Sequence, residues 1–292
     1  QKIIRYLDYI IYWSIIVMPF TMSIASAPMS VFMGFLIVSF LVKKILKKEQ
    51  IFTKTSINFA LLAFFIINCL SIFHSINFKD SLRGGIVRLL QYIFILSIMV
   101  EELKDKKHIW RIVLFLSFGL LLVSFDEIWQ VLKGADFIRG YAPIINIGLV
   151  RATASFKDAN TLGIYLSAIA PLIFGLTLYY LKGTKKIAFI FVSLIALIGV
   201  VLTYSRPTLL AIYIAFLLLG LARRNKILVS FLIIFLLISP LILPKPVKDW
   251  AKSVNYNPLR FMCNDDRIAV YRNSLNMIKA HPIVGLGVNT YM

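Results

Sequence analysis

The amino-acid sequence predicts an all-α, polytopic membrane protein with about nine transmembrane helices. Three observations carry this reading. Of the 292 residues, 60% are hydrophobic and only 15% charged, with a mean hydropathy of +0.85. Soluble domains usually sit near about 45–50% apolar, and a soluble chain of this size would still need a polar surface. The apolar residues also fall in runs of about 17 to 20 that recur along the whole chain, the length that crosses a bilayer core as a helix. Helices are expected because the hydrocarbon tolerates only backbone whose hydrogen bonds close internally.

Taken in order, the expected spans are 7–22, 29–43, 57–75, 85–100, 109–125, 161–181, 187–204, 207–222 and 227–243. The first run is not a signal peptide, because a second follows at once with no small-residue cleavage pattern. The chain opens on Gln1, and it is expected to be a fragment or numbered without its start. Residues 1–243 form the bundle, with a loop over 126–160. Residues 244–292, opened by Pro244 and Pro246, begin a larger polar loop. There is no internal repeat and no low-complexity segment. Cys69 and Cys263 make neither a disulfide framework nor a metal spacing, so no metal is expected.

The links alternate in charge. Lys2 and Arg5 precede the first span, and the second link holds Lys43, Lys44, Lys47, Lys48 and Lys54. The fourth brings Lys104, Lys106, Lys107 and Arg111, the sixth Lys182, Lys185 and Lys186, and the eighth Arg223, Arg224 and Lys226. More than half of the 32 Lys and Arg lie in this set. The opposite links are sparse, with Lys79, Arg83 and Arg206. Positive-inside bias therefore puts the N-terminus in the cytoplasm and the C-terminal segment outside, in the extracytoplasmic space. Orientation explains most of the net charge of +19, so no nucleic-acid partner is implied.

A few polar residues need explaining. Arg206 sits in LTYSRPTLL between two strongly apolar spans. It either snorkels to headgroups, with Pro207 starting the next helix, or faces a cavity and binds phosphate through its planar fork. In RATASFKDAN, Asp158 or Asn160 can cap the sixth span. Arg88 and Gln91 either snorkel or line a cavity, and His74 is a weaker case of the same kind. In 265–291, Asp265 or Asp266 can cap a helix whose apolar stripe is Ile268, Tyr271, Leu275 and Ile278. Pro282 stops that helix near Ala280, and Gly285 and Gly287 permit a tight turn. His281 reads as a helix C-terminal residue or as a base. No HExxH, P-loop, GxSxG or dinucleotide-binding pattern is present, so no cofactor is expected.

Three pieces together resemble the O-antigen ligase and O-antigen polymerase-like family. They are Arg151, Phe156 and Asn160 before the sixth span; Ser205-Arg206 at the next corner, with Pro207 where the family has Gly; and Arg267, Tyr271, His281, Pro282, Gly285, Gly287 and Tyr291 in order. Ala154, Ser155, Asp158 and Ala159 depart from the family pattern. The resemblance implies a metal-independent glycosyltransferase in the bacterial cytoplasmic (inner) membrane. It would move a glycan from undecaprenyl diphosphate to an acceptor: lipid A–core, a growing chain or a protein. Arg206, Arg267 and His281 become catalytic candidates, and Arg151, Arg206, Asn160 and Arg88 candidates for holding the diphosphate. Pro282, Gly285 and Gly287 become structural, with His281 more a hinge than a base. The family's usual basic His would fall beyond residue 292, which makes the chain a piece ending inside the large loop. A repeat-unit polymerase differs from a ligase only in its acceptor, so both readings stand. A lipid-linked glycan transporter and a non-catalytic membrane subunit stand beside them. The scarcity of charge in mid-span favours chemistry at the outer face over a translocation path.

Overall fold

The computed structural model describes residues 1–146, 148–257, 260–261, 265–282 and 285–289, and the side chains of all of these except 239, 240, 242, 265 and 266. The chain is a multi-pass helical membrane protein. Among the described residues six helices are long and apolar enough to cross a membrane: α1 (Lys2–Thr21), α2 (Ser26–Lys47), α4 (Phe78–Glu102), α5 (Lys106–Lys133), α6 (Ala159–Tyr180) and α7 (Gly183–Leu202). Three more apolar helices are shorter: α3 (Asn58–Ser71), which runs on into a 3-10 turn at Ile72–His74, α8 (Arg206–Ala222) and α9 (Lys226–Ile242). Each expected span therefore has its helix, and six of the nine have full crossing length. In the polar end lie α10 (Lys245–Ser253) and α11 (Asp265–Ala280).

Two boundaries differ from expectation. The stretch 126–160 is not loop throughout, because α5 runs on to Lys133. Its last turns are polar in sequence, yet Asp126, Glu127 and Gln130 are fully buried. They face neighbouring backbone rather than water. The second difference is a short antiparallel hairpin, β1 (Ile144–Asn146) with β2 (Leu149–Arg151), in a chain expected to be all α.

The helices fall into two compact units. One comprises residues 1–16, 30–109 and 263–292. Here α2 is tied to its neighbours by ion pairs. Lys43 reaches Asp8 at 2.8 Å and Glu102 at 2.7 Å, and Lys44 reaches Glu101 at 2.6 Å and Glu49 at 3.0 Å. Both lysines are buried, although the sequence presents them as an ordinary basic link. Hydrogen bonding to Lys44 lowers the pKa of the exposed Glu49 carboxyl. In the same unit α4 is π-helical over Ser81–Val87, at its double glycine. That widened turn receives the Gly287 turn: Ser81 Oγ donates to the Val288 carbonyl at 2.7 Å and pairs with Ser75 Oγ at 2.6 Å. Gly287 has φ +99°, and a Cβ there would lie 2.6 Å from Ser75.

The other unit, residues 17–29 and 110–262, holds the larger core. Leu120 and Val123 of α5, Leu162, Leu166 and Ile173 of α6, Ala196 and Val200 of α7, and Ile212 and Phe216 of α8 pack together. Small residues let the helices approach: Gly163 against Thr208, Gly199 against Glu127, and Gly220 against Val229. α6 starts where Asp158 caps it and α8 starts with Pro207 in its first turn, both as expected.

Replacing Lys43 with Met should destabilise the first unit by about 1–3 kcal/mol, between the values for exposed and buried pairs. The lysine side chain is only 9% exposed, while its partners are 49% and 26% exposed. Thermal unfolding of the detergent-solubilised protein should show a lower Tm. Adding Glu102→Gln to Lys43→Met should cost less than that substitution alone costs in the native protein, because its partner is already gone.

Candidate functional site

In the second unit four helix ends meet: the C-termini of α5 and α7 and the N-termini of α6 and α8. The segment 151–160 runs between them. Ala152 N–H donates to the Leu202 carbonyl at 2.9 Å, so the strand end is pinned to the end of α7. Gln130, one turn from the end of α5, holds the next two residues. Its Oε1 accepts from Thr153 N–H at 2.8 Å and Ala154 N–H at 2.9 Å, and its Nε2 donates to Thr153 Oγ1 and to the Tyr141 carbonyl. Ala154 is buried with φ +46°, and Tyr204 at the α7–α8 corner also has φ +46°. Two non-glycine residues in the left-handed region persist only where their surroundings impose it.

Within this frame Arg151, Asn160 and Ser205 come together. Arg151 Nε donates to the Thr203 carbonyl at 2.9 Å and its Nη2 to Asn160 Oδ1 at 3.2 Å. Ser205 Oγ donates to the same Asn160 oxygen at 3.1 Å and accepts from Thr208 Oγ1 at 2.9 Å. Asn160 thus joins segment 151–160 to the corner that carries Arg206, and it is not a helix cap. The cap is Asp158, whose Oδ1 accepts from the N–H groups of Asn160 and Thr161 at 2.9 Å. Partial burial opposes the charge on Asp158. Hydrogen bonds from Thr161 and Asn160 and the nearby Arg151 outweigh it, holding the carboxyl below its ordinary range.

Arg206 is the first residue of α8, half-buried at the corner. Its guanidinium donates to the Phe261 carbonyl. It also lies over two aromatic rings, 5.6 Å from the Trp250 centroid and 5.7 Å from that of Phe261, within cation–π range. The helix behind it has no side-chain cap, since Ser205 is turned toward Asn160. An uncapped helix N-terminus with an arginine on it attracts anions.

Residues 191–292 match the family model described as O-antigen ligase. The matched stretch takes in Ser205-Arg206, Trp250, Arg267 and His281, and the fold attaches Arg151 and Asn160, which precede it, to its Ser205 corner. No curated protein and no solved structure gives a match. The remaining candidates lie in the first unit. Arg267 is half-buried on α11, and His281 is exposed just beyond the last residue of that helix, where Pro282 follows. Gly285 N–H donates back to the His281 carbonyl at 3.2 Å. Arg88 directly follows the π-helical segment of α4 that receives the Gly287 turn. Tyr271, Leu275 and Ile278 of the expected stripe are exposed. The cap expected at Asp265 or Asp266 and the aromatic at Tyr291 lie outside the described residues. Among the described residues no three His, Cys, Asp or Glu gather as a metal would require.

Sequence reasoning missed Gln130, Trp250 and Phe261. Gln130 stands four residues after Asp126 and three after Glu127, a spacing that puts it beside each of them on a continuing helix but fits a solvent face as well as a buried one. Trp250 and Phe261 had no signal, because 44 and 55 residues separate them from Arg206 in the chain.

Two outcomes test the frame. A Cβ at Gly163 would sit 2.0 Å from Thr208 Oγ1, so Gly163→Ala should cost about 1–3 kcal/mol as overpacking between α6 and α8. Adding Thr208→Ala should recover part of the lost Tm. Asp158→Ala should cost about 1 kcal/mol at neutral pH as a lost cap. Because the folded carboxyl titrates below its ordinary value, its stabilisation is complete above that value and is lost as pH falls through the lowered one. The Tm gap between Asp158→Ala and the parent should therefore close in acid and stay constant from pH 5 to pH 8.

Proposed function

We propose that the chain is a membrane glycosyltransferase. It moves a glycan from undecaprenyl diphosphate to an acceptor hydroxyl at the extracytoplasmic face of the bacterial inner membrane, in the manner of an O-antigen ligase. The observation that carries this reading is the corner at Ser205-Arg206. A permanently charged guanidinium sits there on an uncapped helix N-terminus, at the end of apolar helices, with Arg151 fixed alongside through Asn160. The match of residues 191–292 to the O-antigen ligase model points the same way.

In the reaction the acceptor oxygen bonds to the anomeric carbon while the bond from that carbon to the diphosphate oxygen breaks. The electron pair leaves with undecaprenyl diphosphate, and the hydroxyl proton goes to a base. Negative charge grows on the departing diphosphate, and Arg206 meets it with a planar fork that matches two phosphate oxygens. The dipole of α8 adds to this attraction. Arg151 is held to the Thr203 carbonyl and to Asn160, so it adds positive field without having to swing. By the family resemblance Arg267 and His281 stay candidates for catalysis and Arg88 a candidate for the diphosphate.

The test is glycan transfer by the full-length protein carrying Arg206→Ala, compared at matched membrane expression. Transfer should fall on the order of 10²-fold, as when a charge-stabilising group is removed. Arg206→Lys should restore only part of it, since an ammonium lacks the fork. Near-normal transfer in Arg206→Ala would remove Arg206 from the site. In a deletion strain, accumulated lipid-linked polymer would mark a ligase and accumulated single units a polymerase.

A further inference from the structure

The contacts of Arg206 lead to a residue that no family resemblance assigns. Trp250 is on α10, the short helix after α9 that also carries Lys245, Lys248 and Lys252. Its ring lies under the Arg206 guanidinium. Its indole N–H is buried and has no hydrogen-bond partner among the described residues. An indole nitrogen is a donor only, and a buried donor without an acceptor is costly to keep. Next to it, the guanidinium donates to the Phe261 carbonyl, a neutral oxygen in the kind of position a phosphate oxygen would take. Two neighbouring donors thus share a surrounding in which one is met by a backbone oxygen and the other by nothing described. The open cleft beside Trp250 is lined by Lys245, Pro246, Asp249 and Ser253. Lys245 and Asp249 bring opposite charges, so attraction for an anion rests on Arg206 and not on the cleft walls.

We propose that Trp250 is a second ligand for the lipid diphosphate beside Arg206: its ring seats the guanidinium, and its indole N–H donates to the phosphate oxygen that displaces the Phe261 carbonyl. This rests on the reading of Arg206 as the diphosphate site and extends it to the polar segment after α9. The flat ring restricts the guanidinium to one plane, so Arg206 meets the phosphate already oriented. Phe261 holds the place until the donor arrives. Trp250 is a binding and positioning residue, and the bond-breaking step does not pass through it.

The experiment uses the full-length protein in vesicles, with Trp13, Trp110 and Trp129 changed to Phe so that Trp250 is the one tryptophan of residues 1–292. Any tryptophan beyond residue 292 is changed in the same way. Undecaprenyl diphosphate is titrated in, with undecaprenol as the control lipid. A saturable change in indole emission is expected with the diphosphate and not with the alcohol, and Arg206→Ala should abolish it. In transfer assays Trp250→Phe, which keeps a ring and loses the N–H, should raise the donor KM about tenfold, as for one hydrogen bond to a charged group, with kcat changed less than twofold. Trp250→Leu, which loses the ring as well, should raise KM further and lower kcat. An unchanged donor KM in Trp250→Phe with an unresponsive emission, while Arg206→Ala has lost transfer, would overturn the role of Trp250 and leave the diphosphate site standing. Full transfer by Arg206→Ala would overturn both.

Discussion

The side-chain oxygen of Asn160 is the point on which the site depends. It accepts from Arg151 and from Ser205 at once. One donor belongs to the segment that ends the hairpin, the other to the corner between α7 and α8. Neither piece could be placed by apolar packing alone, because both lie where the helices stop. Asn160 can take this role because Asp158, two residues earlier, already caps α6. The carboxylate satisfies the helix N–H groups and leaves the amide oxygen to face the corner. Loss of Asn160 would cut the link between Arg151 and Ser205 while leaving Arg151 on the Thr203 carbonyl and Ser205 on Thr208, a larger change than losing either hydrogen bond alone.

The same logic explains the polar end of α5. A membrane protein cannot leave backbone polar groups unpaired at the edge of its hydrocarbon-facing core. Gln130 meets this requirement for Thr153 and for Ala154, whose positive φ breaks the regular backbone pattern. Asp126 accepts from Phe137 N–H at 2.8 Å, and Asp136 gathers the N–H groups of Ile138 and Arg139. Three side chains thereby hold the backbone of Phe137, Ile138, Arg139, Thr153 and Ala154 in place. Glu127 differs: neither of its oxygens has a hydrogen-bond partner among the described residues. Its carboxyl lies so close to Gly199 that a Cβ there would sit 2.1 Å from Oε2. Glycine at 199 is the condition for a carboxyl at 127.

Much of the bundle was legible because bilayer thickness writes itself into apolar run length. Each expected span corresponds to a helix, and local signals such as the Asp158 cap, Pro207 in a first turn and the stop at Ala280 act over a few residues. The end of α5 was not legible, since Asp126, Glu127 and Gln130 look like solvent residues until a neighbour is supplied. The hairpin was equally hidden, being only three residue pairs long. Arg151, Asn160 and Arg206 could be named as candidates from sequence, but their relation could not. A reading of RATASFKDAN gives Asn160 a capping role as readily as a bridging one. Only the position of Ser205 decides between them. Lys43 and Lys44 show the converse, because their charges count toward orientation in sequence yet are matched by Asp8, Glu49, Glu101 and Glu102 in the fold.

Two helix N-termini, those of α6 and α8, point to the same end of the second unit, and an anion could in principle choose either. Asp158 removes the first from consideration. Its carboxylate already occupies the α6 N-terminus, and its lowered pKa keeps it charged at neutral pH. A phosphate approaching α6 would meet like charge, while one approaching α8 would meet Arg206 and a first turn that no side chain caps. Ser205 could have capped α8 in the usual way, and the structure spends its hydroxyl on Asn160 instead. The bond that organises the corner therefore also leaves the α8 terminus open. Building the site and charging it follow from one choice of partner at Ser205.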